Sequence, residues 1–205
     1  MKAITKTARA AALLAAAAFA AAALAACATG APAAFDEGDP SVPILAEWVL
    51  EDDSGMGGTS TIAMAETEEG GMPAWRFTGE LTRAFEWGYV TFGFEDFDEE
   101  TLELFGKASA VSFMVRGDGQ QYVLQLLTSV VQDYGHFFFN FGTVAGEAVR
   151  VTAPMRAFFQ PAWAASVGWF NAATMTGMRW TNHDDINPGS YDLTIWDVRL
   201  YVPGE

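Results

Sequence analysis

The stretch Ser109-Ala110-Val111-Ser112-Phe113-Met114-Val115-Arg116-Gly117-Asp118-Gly119-Gln120-Gln121-Tyr122-Val123-Leu124-Gln125-Leu126-Leu127-Thr128 decides the fold. In its first part Val111, Phe113 and Val115 fall on one face and Ser112, Met114 and Arg116 on the other, the period of two that a β-strand imposes. Gly117-Asp118-Gly119 reads as a tight turn, where glycine supplies positive φ without a steric penalty. Gln120 to Thr128 then reads as the returning partner strand, with Tyr122, Leu124 and Leu126 as its core row.

The same punctuation continues outward in both directions. Val42 to Leu50 reads as a first strand carrying Trp48, followed by a turn-rich acidic loop from Glu51 to Gly58. Thr59 to Glu66, Ala74 to Gly79 and Gly88 to Phe94 read as strands. Asp96 to Phe105 suits a short helix or a turn, with Asp98, Glu99 and Glu100 placed for a helical first turn. His136 to Phe141 alternates, with Phe137, Phe139 and Phe141 on one face and His136, Phe138 and Asn140 on the other. Ala148 to Thr152, Met175 to Thr181 and Tyr191 to Tyr201 complete the set. Short strands separated by turn signals predict an all-β sandwich or barrel.

The N-terminal segment has a different character. Lys2, Lys6 and Arg9 precede an Ala- and Leu-rich run that ends Leu24-Ala25-Ala26-Cys27, the charge, apolar and small-residue plan of a secretory signal. Leu-Ala-Ala-Cys resembles the lipobox of bacterial lipoproteins, which implies cleavage before Cys27 and acylation of that cysteine. Several acyl chains hold a membrane where one does not, at roughly 0.8 kcal/mol per buried CH₂. An uncleaved transmembrane helix is the alternative, but the run is short and weakly hydrophobic for one. The expected organisation is a signal peptide over 1–26, a lipidated Cys27 with a flexible tether over 27–41, and one β-sandwich domain over 42–205. Ala28, rather than Asp, follows the cysteine, which by the enteric sorting rule favours the outer membrane or cell surface over the inner membrane.

Composition excludes several classes. The chain carries 11 Lys+Arg against 26 Asp+Glu, a net charge of −15, and the leader holds only basic residues, so the mature domain is more acidic still. Such a surface repels nucleic acid and anionic headgroups. Hydrophobic content of 51% and aromatic content of 14% exclude a disordered chain. Cys27 is the only cysteine, so neither an intrachain disulfide nor a cysteine-based metal site can form.

Five segments, in order, resemble the complex I intermediate-associated protein 30 family. They are Asp53-Ser54-Gly55-Met56-Gly57-Gly58-Thr59-Ser60, Phe77-Thr78-Gly79-Glu80-Leu81, Val115 to Tyr122, Val149 to Phe159 through Pro154 and Phe158, and the closing Tyr191 to Tyr201. The pattern departs where Phe85-Glu86-Trp87-Gly88-Tyr89 replaces a Gly-Gly-Phe and where Met155 follows Pro154. The resemblance implies a galactose-binding-like jelly-roll β-sandwich, a fold shared with family 11 carbohydrate-binding modules. The respiratory-complex assembly role that the family name implies for mitochondrial members does not transfer to an exported lipoprotein.

Fold does not dictate function, so the site must be argued from residues. No nucleophile elbow, zinc-protease helix or phosphate loop is present, and His183-Asp184-Asp185 sits in a polar turn region. A non-catalytic domain is therefore expected, with a glycan-active enzyme as a third reading. Polysaccharide recognition on a concave sheet face is the sharper expectation, since aromatic rings stack on sugar C–H patches and planar polar groups bind hydroxyls. The non-core face is expected to carry Arg116, Gln125, Tyr134, His136 and Asn140, with Trp163, Trp169 and Trp180 added from the segment that follows. Each tryptophan has burial in the core as its alternative. A structural Ca²⁺ is expected where Asp52 and Asp53 of the first loop, beside Glu51, meet Asp197 of the last strand, since hard cations take several oxygens; a solvated acidic turn is the alternative. An envelope protein is the alternative partner.

Overall fold

The computed structural model describes residues 34–204 apart from Phe85 and 184–186. The expected signal peptide, Cys27, the start of the expected tether, and Asp184 and Asp185 lie outside the described residues. Among the described residues, eleven strands form two antiparallel sheets. They are β1 (Ser41–Pro43), β2 (Val49–Asp52), β3 (Thr61–Glu69), β4 (Met72–Leu81), β5 (Tyr89–Glu95), β6 (Ala110–Arg116), β7 (Gln121–Thr128), β8 (Phe137–Gly142), β9 (Ala148–Pro154), β10 (Met175–His183) and β11 (Gly189–Tyr201). One sheet runs β3-β4-β11-β6-β9, with β1 also on β11; the other runs β2-β5-β10-β7-β8. Helix α1 (Glu99–Lys107) is capped by Asp98, whose side chain accepts the Thr101 N–H at 2.8 Å. This is the jelly-roll β-sandwich expected.

The core lies between the sheets. Phe77, Phe92, Phe113, Tyr122, Leu124, Leu126, Trp180, Leu193 and Ile195 are all fully buried there. Trp48 sits among Phe94, Phe77 and Trp180, with ring centroids 4.4, 4.8 and 5.3 Å away. That placement breaks the single strand expected over Val42 to Leu50. The chain leaves β1 in one sheet, drops Trp48 into the core, and enters β2 in the other.

A second correction concerns the deciding stretch. Both strands form where the alternation places them, but they are not partners. β6 pairs with β11 and β9, whereas β7 pairs with β10 and β8. The Gly117–Gln120 corner crosses from sheet to sheet. Asp118 holds it: its carboxylate accepts from Gln120 N at 3.0 Å, from the Tyr122 hydroxyl at 2.9 Å and from Asp192 N at 3.1 Å. The contact to β11 is what a local hairpin lacks.

In β11 the register against β6 shifts between Trp196 and Arg199, and Asp197 has φ 48°. This bulge keeps Leu193, Ile195, Val198 and Leu200 all inward despite the odd spacing. Within the segment expected as a tether, Phe35 packs edge-on against Tyr201 at 5.2 Å, and Asp39 accepts from the Ser109 hydroxyl at 2.9 Å.

Candidate functional site

Strand parity assigns the outer face of the five-stranded sheet. In β10, Met178 and Trp180 point into the core, so Arg179 and Thr181 point out. Cross-strand register then lines up Arg179 with Gly93 of β5 and Gln125 of β7, and Gln125 with Phe138 of β8. The neighbouring row is Glu51, Thr91, Thr181, Val123 and Asn140.

Arg179 is the centre of this face. Its Nε donates to Gln125 Oε1 at 3.1 Å and its Nη1 to Glu51 Oε2 at 3.1 Å, while the Tyr89 hydroxyl donates to Glu51 Oε1 at 3.1 Å. One guanidinium thus ties β2 to β7 across β5 and β10. Its side chain is 17% exposed. Burial lowers its pKa and the carboxylates of Glu51 and Glu95 oppose that, so it remains a cation. Burial, then the Glu51 charge, pushes Tyr89 up to about 12. Gly93 lies beneath: a Cβ there would collide with the Met178 carbonyl and with Arg179.

His136 stands at the end of this cluster and is half-buried. Burial, then repulsion from Arg179, lowers it to about 4, with Asp133 pulling the other way. The ring is therefore neutral at ordinary pH, and its Nδ1 accepts from Thr128 N at 3.5 Å.

Two loops rim the face and are pinned to each other. Asp133 accepts from Gly135 N at 3.1 Å and from Ala165 N at 2.7 Å; Gln160 donates to the Gly135 carbonyl at 2.8 Å and accepts from Val167 N at 2.8 Å. Gly135 is packed so tightly on Ala164 that any side chain would collide. Beside these contacts stand Tyr134, in the left-handed region at φ 63°, and Trp163. Tyr134 is 74% exposed, Trp163 64% and Trp169 55%. Phe170 anchors the second loop, packing edge-on against Phe137 at 5.7 Å. Tyr134 also lines a cavity of about 550 Å³ with Leu50, Glu51, Asp52, Met56, Ile62 and Tyr89.

The expected residues divide clearly. Gln125, Tyr134, His136 and Asn140 do belong to this face and its rim, and Trp163 and Trp169 are exposed beside it. Trp180 is fully buried in the core, packed edge-on against Phe113 at 5.2 Å, and offers no ring to a ligand. Arg116 lies in the other sheet, where Glu69 binds it through two hydrogen bonds of 3.0 and 2.7 Å. The expected Ca²⁺ ligands do not meet. Asp53 is fully buried and accepts from Ser60 N at 2.9 Å and the Ser60 hydroxyl at 2.7 Å. Asp52 caps Ser54 N at 2.9 Å. Asp197 is paired with Arg150 and Arg199. Among the described residues no group of three His, Cys, Asp or Glu is placed to hold a metal ion. Arg179, Tyr89 and Gly93 were missed, although the parity that buries Trp180 turns Arg179 outward.

The fold is thus a two-sheet jelly roll with a polar outer face beside exposed aromatic rings. The chain belongs to the family described as complex I intermediate-associated protein 30 (CIA30), which matches over residues 35–195. No curated protein matches it. Its fold is similar to the family 11 carbohydrate-binding module of the cellulosomal cellulase Lic26A-Cel5E of Clostridium thermocellum, at TM-score 0.60 and 13% identity, over 83% of this chain and 98% of that one. A family 11 module from the same organism, in complex with a β-1,3-1,4-mixed-linked tetrasaccharide, aligns at TM-score 0.56 and 13% identity, over 83% and 95%. The family 30 carbohydrate-binding module of cellulosomal cellulase Cel9D-Cel44B of Clostridium thermocellum aligns at TM-score 0.56 and 14% identity, over 81% and 99%.

Proposed function

We propose that this chain is a non-catalytic, lipid-anchored polysaccharide-binding domain of the bacterial cell envelope, and that the outer face of the five-stranded sheet holds its ligand. The observation that carries this is the set of exposed rings, Tyr134, Trp163 and Trp169, on loops pinned to each other beside a polar sheet face. Exposed tryptophans have no core role, and rings with an apolar body and a polar tip suit a sugar's alternating C–H and hydroxyl surface. Glu51, Tyr89 and Asn140 supply hydroxyl partners. Gln125, Arg179 and His136 act behind them as positioning residues, since they are buried or half-buried and bind one another's elements. The carbohydrate-binding modules that share the fold support the reading. Acylation of Cys27 supplies the anchor, and Cys27→Ser removes lipid labelling and membrane retention.

The test is a glycan-array screen of the detergent-solubilised chain, with and without Ca²⁺. A defined polysaccharide hit that is lost in Trp163→Ala or Tyr134→Ala establishes the site. A blank array from folded protein refutes it and directs the search to an envelope protein partner.

A further inference from the structure

The cavity beside Tyr134 has a chemical character narrower than a general sugar platform. Its apolar side is Leu50, Met56 and Ile62, and its aromatic side is Tyr89 and Tyr134. Its charged groups are both carboxylates, Glu51 and Asp52, and no Lys, Arg or His stands among the lining residues. Arg179 lies behind Glu51, its Nη1 donating to Glu51 and its Nε to Gln125. One buried guanidinium thus offsets one of two carboxylates, and the cavity keeps a negative balance within a chain of net charge −15. Tyrosine faces add attraction for a cation, as their quadrupole is negative above the ring. An anionic polysaccharide is repelled here, and a neutral one gains hydroxyl-to-carboxylate hydrogen bonds but no charge pairing.

We infer that, within the polysaccharide reading on which this rests, the cavity takes a sugar residue bearing a free protonated amine, so that the ligand class is an unacetylated hexosamine polymer. The ammonium lies toward Glu51 and Asp52, and the C–H face of the ring lies on Tyr134 with Met56 and Leu50 behind. N-acetylation removes the charge and adds bulk at the same atom, so the acetylated polymer loses the contact that sets the preference.

The experiment is calorimetric titration of the full chain in detergent with four probes of equal length: a glucosamine oligomer, its N-acetylated counterpart, a neutral β-glucan oligomer and oligolysine. The glucosamine oligomer is expected to bind about fivefold more tightly than its acetylated counterpart, the upper end of what a solvent-exposed ion pair contributes. Asp52→Asn keeps the oxygen that caps Ser54 and removes the charge, so it abolishes that preference while leaving the fold intact. Raising salt narrows the preference by screening, and raising pH through the amine's pKa removes it; both readouts stand if the variant fails to fold. A neutral glucan bound as tightly as the glucosamine oligomer overturns the amine and leaves the polysaccharide reading standing. Oligolysine bound as tightly as the glucosamine oligomer also overturns it, since the site then reads charge and not sugar. No binding of any sugar overturns both.

Discussion

Replacing Arg179 by methionine tests the clamp at the centre of the outer face. Methionine keeps much of the unbranched stem and its packing but removes the guanidinium. Gln125, only 3% exposed, loses the donor to its Oε1. A buried acceptor left unsatisfied costs about 1–3 kcal/mol. Glu51 is 52% exposed and rehydrates, so loss of its ion pair adds at most about 1 kcal/mol. Relief from keeping a charge mostly out of water offsets part of this, and the net loss is about 2 kcal/mol. For a domain of this size that lowers Tm by about 4–8 °C. A second readout is specific to the geometry. His136 is held near 4 by burial first and by Arg179 second. Removing Arg179 raises the His136 midpoint, while burial keeps it below the ordinary 6.5. Thermal melts together with an NMR titration of the His136 ring measure both. An unchanged Tm with an unchanged His136 midpoint would refute the clamp. Arg179→Lys restores the charge but not the two-pronged geometry, so it recovers the His136 midpoint more fully than the Tm.

His136 also makes stability depend on pH. The folded ring titrates near 4 and the unfolded one near 6.5, so between these values the unfolded chain holds a proton the folded chain refuses. Stability therefore falls as pH drops from about 6.5 through about 4, and denaturant unfolding of His136→Gln shows a flatter slope in that window; equal slopes count against a buried neutral ring. Asp118→Ala strips the acceptor from the Tyr122 hydroxyl, from Gln120 N and from Asp192 N, and costs about 3 kcal/mol; a loss below about 1 kcal/mol by urea unfolding would show that the corner does not depend on it. The tryptophans separate by role: Trp180→Ala loses about 3–5 kcal/mol, whereas Trp163→Ala stays within about 0.5 kcal/mol in stability and weakens glycan binding. Equal stability losses in the two variants would contradict the rim.

Alternation of side chains tells which residues share a face, but not which sheet the face belongs to. That single limit explains most of what was and was not legible. Val111, Phe113 and Val115 are inward as their spacing requires, and so are Tyr122, Leu124 and Leu126. Gly117-Asp118-Gly119 reads equally as a hairpin turn or as an arch between sheets. The choice rests on Asp118 meeting Asp192, a contact 74 residues away that no local pattern carries. Arg116 was put on the binding face for the same reason: its parity is right for an outer face, but the sheet is the other one. Gln125 and Asn140 share the outer face of one sheet because β7 and β8 are neighbours there, so parity in one carries to the other, while Tyr134 and His136 stand on the loop between those strands.

Trp180 shows the limit in its sharpest form. Density of tryptophan marks a sugar site only where the rings are outside, and in β10 one step of parity separates a buried indole from an outward guanidinium. Once Trp180 is committed to the core by Phe113, Phe94 and Trp48, Arg179 is committed to the face between Glu51 and Gln125. The polar centre of the face is therefore a consequence of the aromatic core beneath it. The exposed rings come instead from loops, where Asp133, Gly135 and Gln160 hold Tyr134 and Trp163 without needing to bury them. Core-derived polar groups are shared by register and hard to vary one at a time. Loop-borne rings can change without disturbing the sandwich, so under the proposed function Tyr134, Trp163 and Trp169 are where specificity can change at least cost to stability.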